Sequence, residues 1–156
     1  MTIDEARFRQ AMGYFASGVT VVTTAYQGEQ YGMTVSSFSS LSLQPRLVLI
    51  CIDKAVPSHD ALVGAGMFVI NILDKRQEHL SRRFATTSPD KFKGLAWHTG
   101  TLGLPVLDHV LAVVECRTYA LAEGGDHTIF IGEVIDTEVN EGTPLLYYRR
   151  GYHELR

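Results

Sequence analysis

Two segments near the end of the chain, residues 111–122 and 127–139, alternate apolar and polar positions and are separated only by Gly124, Gly125 and Asp126. Gly-Gly-Asp between two such runs is the chemistry of a tight reversal, because glycine accepts the positive φ that a short hairpin turn demands. The pair therefore reads as one long β-hairpin. Along its first arm Ala112, Val114, Cys116, Thr118 and Ala120 share a face, while Val113, Tyr119 and Leu121 share the other with Glu115 and Arg117. Apolar residues on both sides imply that both faces are partly covered.

The rest of the chain supplies material for that covering. Residues 19–26, 31–35, 47–52 and 67–73 read as further strands, with Gly28 marking the first turn. Helical signals interrupt them. Thr2 and Glu5 have capping-box spacing, and Phe8, Ala11, Met12 and Phe15 follow at helical intervals, predicting an amphipathic helix that ends near Gly18. A second helix is expected from Pro57 and Ser58 to Gly64 or Gly66. A third starts at Asp74, with Gln77 three residues on and Leu80 and Phe84 on one face. Ser88 and Pro89 resemble the cap and first position of a further short helix. Short strands without βαβ alternation, and without a Gly-x-Gly-x-x-Gly fingerprint, favour an antiparallel barrel over a Rossmann fold. At 156 residues the expectation is one domain spanning 1–156.

Charge and cysteine usage narrow the function classes. Fourteen basic and seventeen acidic residues give a net charge of −3, so no global basic field recruits nucleic acid or an anionic membrane. Any phosphate must be bound locally. Cys51 and Cys116 lie in strand-like runs without metal-ligand or CxxC spacing and are expected to be reduced core residues. No apolar run approaches the ~20 residues that cross a bilayer, and the first ten residues lack an apolar leader core, so a cytoplasmic location is expected.

The segment richest in chemistry is GMTVSSFSSLSLQPRLVLICID, residues 32–53, where Thr34, Ser36, Ser37, Ser39 and Ser40 cluster just before an apolar strand. Hydroxyls and backbone N–H groups beside a buried strand suit a ligand with one polar rim and one flat apolar face; the plainer reading is a hydroxylated edge strand bonding to itself. Asp53, Lys54 and Ser58 enter the helix at Pro57, and a helix N-terminus with a lysine nearby suits a phosphate. Arg82 and Arg83 are either a solvated face or phosphate clamps. Arg83, next to Phe84, is expected to be the more inward-facing. His127 directly follows the hairpin turn, and a lone histidine there is ordinarily a turn residue; no other histidine has ligand spacing to it. Trp97, the single tryptophan, is expected in the core or at an interface.

Residues 32–53 also resemble the signature of the flavin reductase family. Further matches follow in order: FASGVTVVTT at 15–24, LSRRFA at 80–85, DKF at 90–92, EGGDHTIFIGEV at 123–134 and PLLYYRRGYH at 144–153. Arg46 stands where the family pattern has a second proline. The resemblance implies a mainly β, antiparallel Greek-key split β-barrel with a few flanking α-helices, and reduction of FMN or FAD by NADH or NADPH. It implies that Thr34, Val35, Ser36 and Ser37 line the isoalloxazine and ribityl chain. Ser39 and Ser40 would lie near the phosphate, with Asp53, Lys54, Ser58 and Arg83 also on the flavin, and His127, Tyr148 and Arg149 would meet the nicotinamide. It further implies a homodimer and a separate flavin-dependent monooxygenase that receives the reduced flavin. A flavoprotein that stores or senses FMN without turnover, or a pyridoxine-phosphate-oxidase-like enzyme, would use the same architecture. The sequence shows no Ser/His/Asp triad, paired carboxylates or Walker loop. Hydride transfer needs none of them, only two rings held face to face at about 3 to 3.5 Å.

Overall fold

The computed structural model describes residues 2–156. Three helices, α1 (Glu5–Gly13), α2 (Ser58–Ala65) and α3 (Glu78–Phe84), are set among twelve strands. The strands are β1 (Ser17–Gly18), β2 (Thr20–Tyr26), β3 (Glu29–Val35), β4 (Phe38–Ser42), β5 (Leu47–Asp53) and β6 (Met67–Ile72), then β7 (Trp97–Thr99), β8 (Pro105–Leu107), β9 (Ala112–Gly124), β10 (His127–Val139), β11 (Leu145–Tyr148) and β12 (Gly151–Glu154). Seven of them form one antiparallel sheet in the order β3-β2-β6-β9-β10-β5-β4. The sheet curls until β3 and β5 touch, which makes the open, split barrel expected for this mainly β chain.

Strand alternation sorts the apolar residues into two cores. Val22, Phe68, Ile70, Ile50, Ile52 and Phe130 fill the barrel interior, while their neighbours Val21 and Val69 point outward. Those outward residues meet Leu80 and Phe84 of α3 and Leu104, Val106 and Leu107 from the segment that crosses outside the barrel. Both faces of the central strands are thus covered, which is why β6 reads as a near-continuous apolar run and β2 buries Thr20, Thr23 and Thr24 along with its valines. A buried amide ties the layers together: Asn71 donates to the Val21 carbonyl and the Thr23 hydroxyl, and its own carbonyl accepts from Leu107 N.

The hairpin of β9 and β10 closes through a two-residue turn, Gly125-Asp126, with Gly124 already paired to His127. Two register shifts, between Ile131 and Gly132 and between Val134 and Asp136, change which side chains face inward. Glu115 and Cys116 are consecutive and both buried because they face opposite, covered sides of β9: Cys116 packs with Phe68 in the barrel interior, and Glu115 lies under the segment outside it. Glu115 survives burial by accepting the backbone N–H groups of Thr101 and Leu102.

Three expectations need correction. The first helix is capped by Asp4, whose carboxylate accepts from Arg7 N at 2.8 Å, rather than by Thr2, and it stops at Gly13 because β1 must pair with β11. None of its residues is buried, and Phe8, Met12 and, just beyond the helix, Phe15 are 52%, 56% and 73% exposed. Second, Ser88-Pro89 opens a series of turns instead of a helix, since the Arg83 guanidinium draws in the carbonyls of Asp90, Lys91 and Lys93 that a helix would use internally. Third, only Cys116 is a core thiol, and burial pushes it up to about 12. Cys51 falls on the outward face of β5 and is half-buried.

Candidate functional site

A groove of about 330 Å³ opens where the end of β3, the exit of β5, the start of α2 and the segment after α3 converge. Thr34, Val35, Ser36 and Ser37 form one wall. Their placement follows from local bonds: the Thr34 hydroxyl donates to the Ser81 carbonyl at 2.6 Å, locking β3 to α3. Ser37 is held to β5 twice, through its hydroxyl to the Cys51 carbonyl at 2.9 Å and by Cys51 N to its own carbonyl at 3.2 Å. Cys51, Ile52 and Asp53 form the opposite wall, and Ala85 to Thr87 the floor.

The polar ends of the groove differ in charge. At one end Pro57 and Ser58 begin α2, whose N-terminus has no side-chain cap, although its His59 N–H is already taken by the Val56 carbonyl at 3.1 Å. Lys91 stands beside them, its Nζ donating to the Gly32 carbonyl at 3.0 Å and the Phe84 carbonyl at 3.2 Å. Burial pushes its ammonium below the usual lysine range. At the other end His127 pairs across the strands with Asp53 and bonds through Nδ1 to Asp126 at 2.7 Å. That histidine holds the Asp126 carboxyl below the usual carboxylate range. His59 bonds Thr128 at 2.8 Å and so links α2 to the start of β10, fixing the spacing between Ser58 and His127.

The structure brings together Thr34, Val35, Ser36, Ser37, Asp53, Ser58 and His127. It does not bring the other sequence candidates into this groove. Ser39 and Ser40 lie exposed on the edge strand β4, where the Ser39 hydroxyl donates to the Ser40 carbonyl. Lys54 turns away to Glu123 at 2.5 Å and lowers that carboxyl, while its backbone N–H holds the hairpin turn at the Asp126 carbonyl. Arg83 does face inward, but its guanidinium is committed to backbone carbonyls of the following segment; Arg82 pairs with Glu78 and lies over Tyr152. Tyr148 and Arg149 stand at the β11–β12 turn against α1, with Arg149 4.7 Å from the Tyr14 ring and its N–H on the Gly13 carbonyl. Trp97 is at the surface, edge-on to Phe92.

Sequence reasoning missed Lys91, Thr86 and Thr87 as groove residues. Lys91 is the centre of the DKF segment at 90–92, but its contact with Gly32 spans 59 positions and leaves no local pattern.

Hydroxyls, a helix N-terminus without a side-chain cap, one ammonium and one imidazole thus line a groove on a split barrel, a set of groups suited to an anionic group beside a flat ring. A family model described as a flavin reductase like domain matches residues 12–156. The chain belongs to that family. It is 44% identical over 147 residues to the reductase component of 4-nitrophenol 4-monooxygenase/4-nitrocatechol 2-monooxygenase from Rhodococcus opacus, covering 94% of this chain and 79% of that one. It is 43% identical to the FMN reductase (NADH) SmoA of Agrobacterium fabrum, over 90% of this chain and 80% of the relative. Among solved structures, the NADH:FAD oxidoreductase SgcE6 of Streptomyces globisporus, in complex with NAD and FAD fragments, superposes with a TM-score of 0.94 at 38% identity, over 98% of this chain and 93% of that one.

Proposed function

We propose that this chain, as one domain, is an NAD(P)H-dependent flavin reductase that moves hydride from a nicotinamide to FMN or FAD and supplies the reduced flavin to a separate flavin-dependent monooxygenase. The observation that carries the reading is the groove itself: a wall of backbone and hydroxyl groups from Thr34 to Ser37 leading to the uncapped N-terminus of α2 and Lys91. A bound flavin supplies the two-electron acceptor. The residues position it. Thr34, Val35, Ser36 and Ser37 take the ring edge and ribityl chain, Ser58, Asp53 and Lys91 face the phosphate end, and His127 guards the approach of the nicotinamide. Similarity to relatives named as monooxygenase reductase components supports the partner.

A homodimer belongs to the same proposal. Phe8, Met12 and Phe15 form an apolar face that this chain leaves uncovered. Tyr148 and Arg149 lie outside their own chain's groove, so a nicotinamide role for them requires a second copy. No described helix is long and apolar enough to cross a membrane, and we place the enzyme in the cytoplasm.

The test is anaerobic mixing of purified protein with FMN or FAD and either NADH or NADPH, reading the bleaching of flavin absorbance. Bleaching well above the protein-free rate is expected. His127→Ala should keep flavin affinity while raising the KM for the nicotinamide or slowing reduction. Absence of bleaching with every pairing would overturn the function, and identical traces for the variant would leave His127 as a turn residue only.

A further inference from the structure

The two ends of the groove rest on different strands. Helix α2 packs on β2, β3 and β6, whereas His127 pairs with Asp53 of β5 and Gly124 of β9. One side chain bonds across from α2 to β10. His59, the second residue of α2, turns its ring toward the barrel interior, where the side chain is only 13% exposed. Its Nε2 lies 2.8 Å from the Thr128 hydroxyl, and the ring stands edge-on to Phe130 at 5.7 Å. Thr128 and Phe130 are both buried, and Phe130 is braced in turn by Phe68 at 6.4 Å. Nδ1 meets the Asp60 carboxylate at 3.0 Å. Since a carboxylate only accepts, the neutral ring carries its proton on Nδ1 and takes the Thr128 hydroxyl proton on Nε2. An apolar plug would fill the same space without fixing a distance. Thr128 directly follows His127, and successive side chains of a strand point to opposite faces, so a bond that holds Thr128 inward also sets how His127 stands at the groove.

We propose that His59 is a positioning residue for flavin reduction: through Thr128 it holds the base of the hairpin of β9 and β10 against α2, and so sets where His127 meets the nicotinamide. The inference rests on the reading of the groove as a flavin site and of His127 as its nicotinamide residue. It makes α2 serve both ends of the groove, with Ser58 toward the phosphate and His59 toward the hydride donor.

Three single variants separate the bond from the packing. His59→Leu keeps an apolar side chain against Phe130 without the bond, Thr128→Val removes the hydroxyl and little else, and His59→Gln carries an amide to the place of Nε2. Anaerobic stopped-flow reduction of saturating FMN, over a range of the nicotinamide cofactor that the wild type accepts, gives KM and the limiting rate. Fluorescence titration gives the Kd for FMN. Loss of one neutral hydrogen bond corresponds to roughly threefold to tenfold, and that rise in KM is expected for both His59→Leu and Thr128→Val, with the Kd and the limiting rate within about twofold of wild type. His59→Gln should restore most of the KM, and the double variant His59→Leu/Thr128→Val should be no worse than the worse single one. In a His127→Ala background His59→Leu should add nothing. Should His59→Leu fail to fold, Thr128→Val, alone and in the His127→Ala background, carries the same comparison. A KM within about twofold of wild type in every folded variant that lacks the bond would overturn the positioning role, as would an equal rise in His59→Gln or a rise that persists without His127. Failure of the wild type to reduce flavin with either nicotinamide would overturn the function and this role together.

Discussion

Gly32→Ala probes the joint between core and groove. A Cβ at Gly32 would sit 2.5 Å from Cε1 and 2.7 Å from Cδ1 of Phe84, and 3.3 Å from Cζ of Phe92. Carbon atoms settle at ~3.5 to 4.0 Å, so the Phe84 ring would have to retreat by roughly 1 Å. It has nowhere to go: Phe84 is 1% exposed in the outer core and abuts Phe92 edge-on. Overpacking of this kind costs about 1 to 3 kcal/mol, against which reduced freedom of the unfolded chain returns about 0.4 to 1 kcal/mol. A net loss of about 1 to 2 kcal/mol is expected, or a fall in Tm of roughly 2 to 8 °C for a chain of this size. The same displacement should reach the groove, because the carbonyls of Gly32 and Phe84 both hold Lys91. Affinity for FMN should then drop more than affinity for riboflavin, which lacks the phosphate. Urea unfolding gives the stability, and flavin titration the affinity. In a Phe84→Leu background the alanine has room, so a double-mutant cycle should show most of its cost gone. A Gly32→Ala protein within about 0.5 kcal/mol of wild type, or a cost undiminished in the Phe84→Leu background, would refute the argument from contact.

Two other perturbations discriminate between residues of similar type. Ser37→Ala loses the bond to the Cys51 carbonyl inside the groove and should raise the flavin Kd by a factor of a few up to roughly tenfold, whereas Ser40→Ala, on the exposed edge of β4, should leave it within about twofold; equal effects in fluorescence titrations would mean that β4 reaches the ligand. Asp74 is buried and caps the turn at Lys75–Gln77, its carboxyl held below the usual range chiefly by the Arg76 side chain and then by backbone N–H groups. Since its folded pKa is depressed, its contribution is complete above the unfolded value of ~3.9 and is lost as pH falls through the folded one. Asp74→Ala should cost about 0.5 to 2 kcal/mol at pH 7, and the gap to wild type should narrow below about pH 4; a gap that stays constant in urea titrations down to pH 3 would contradict this.

What the sequence made legible was whatever repeats locally. The alternation of β2, β5, β6 and the long hairpin, the capping pair Asp74 and Gln77, and the hydroxyl run from Thr34 to Ser37 are patterns within a few residues, and each stands in the structure where its period places it. Long-range partnership was not legible. Arg83 reads as a free cation until the carbonyls of residues 90–93 are seen around it, and Lys91 reads as solvated until Gly32 and Phe84 take two of its protons. The register shifts in β9 and β10 are likewise invisible, because each adds one residue without changing composition. The first helix is the informative case. Its apolar period is present in the sequence, yet Phe8 and Met12 remain more than half exposed on the described chain. A period maintained without a surface inside the chain answers to a surface outside it, and the same argument that assigns strands to a core assigns α1 to the interface of the proposed dimer.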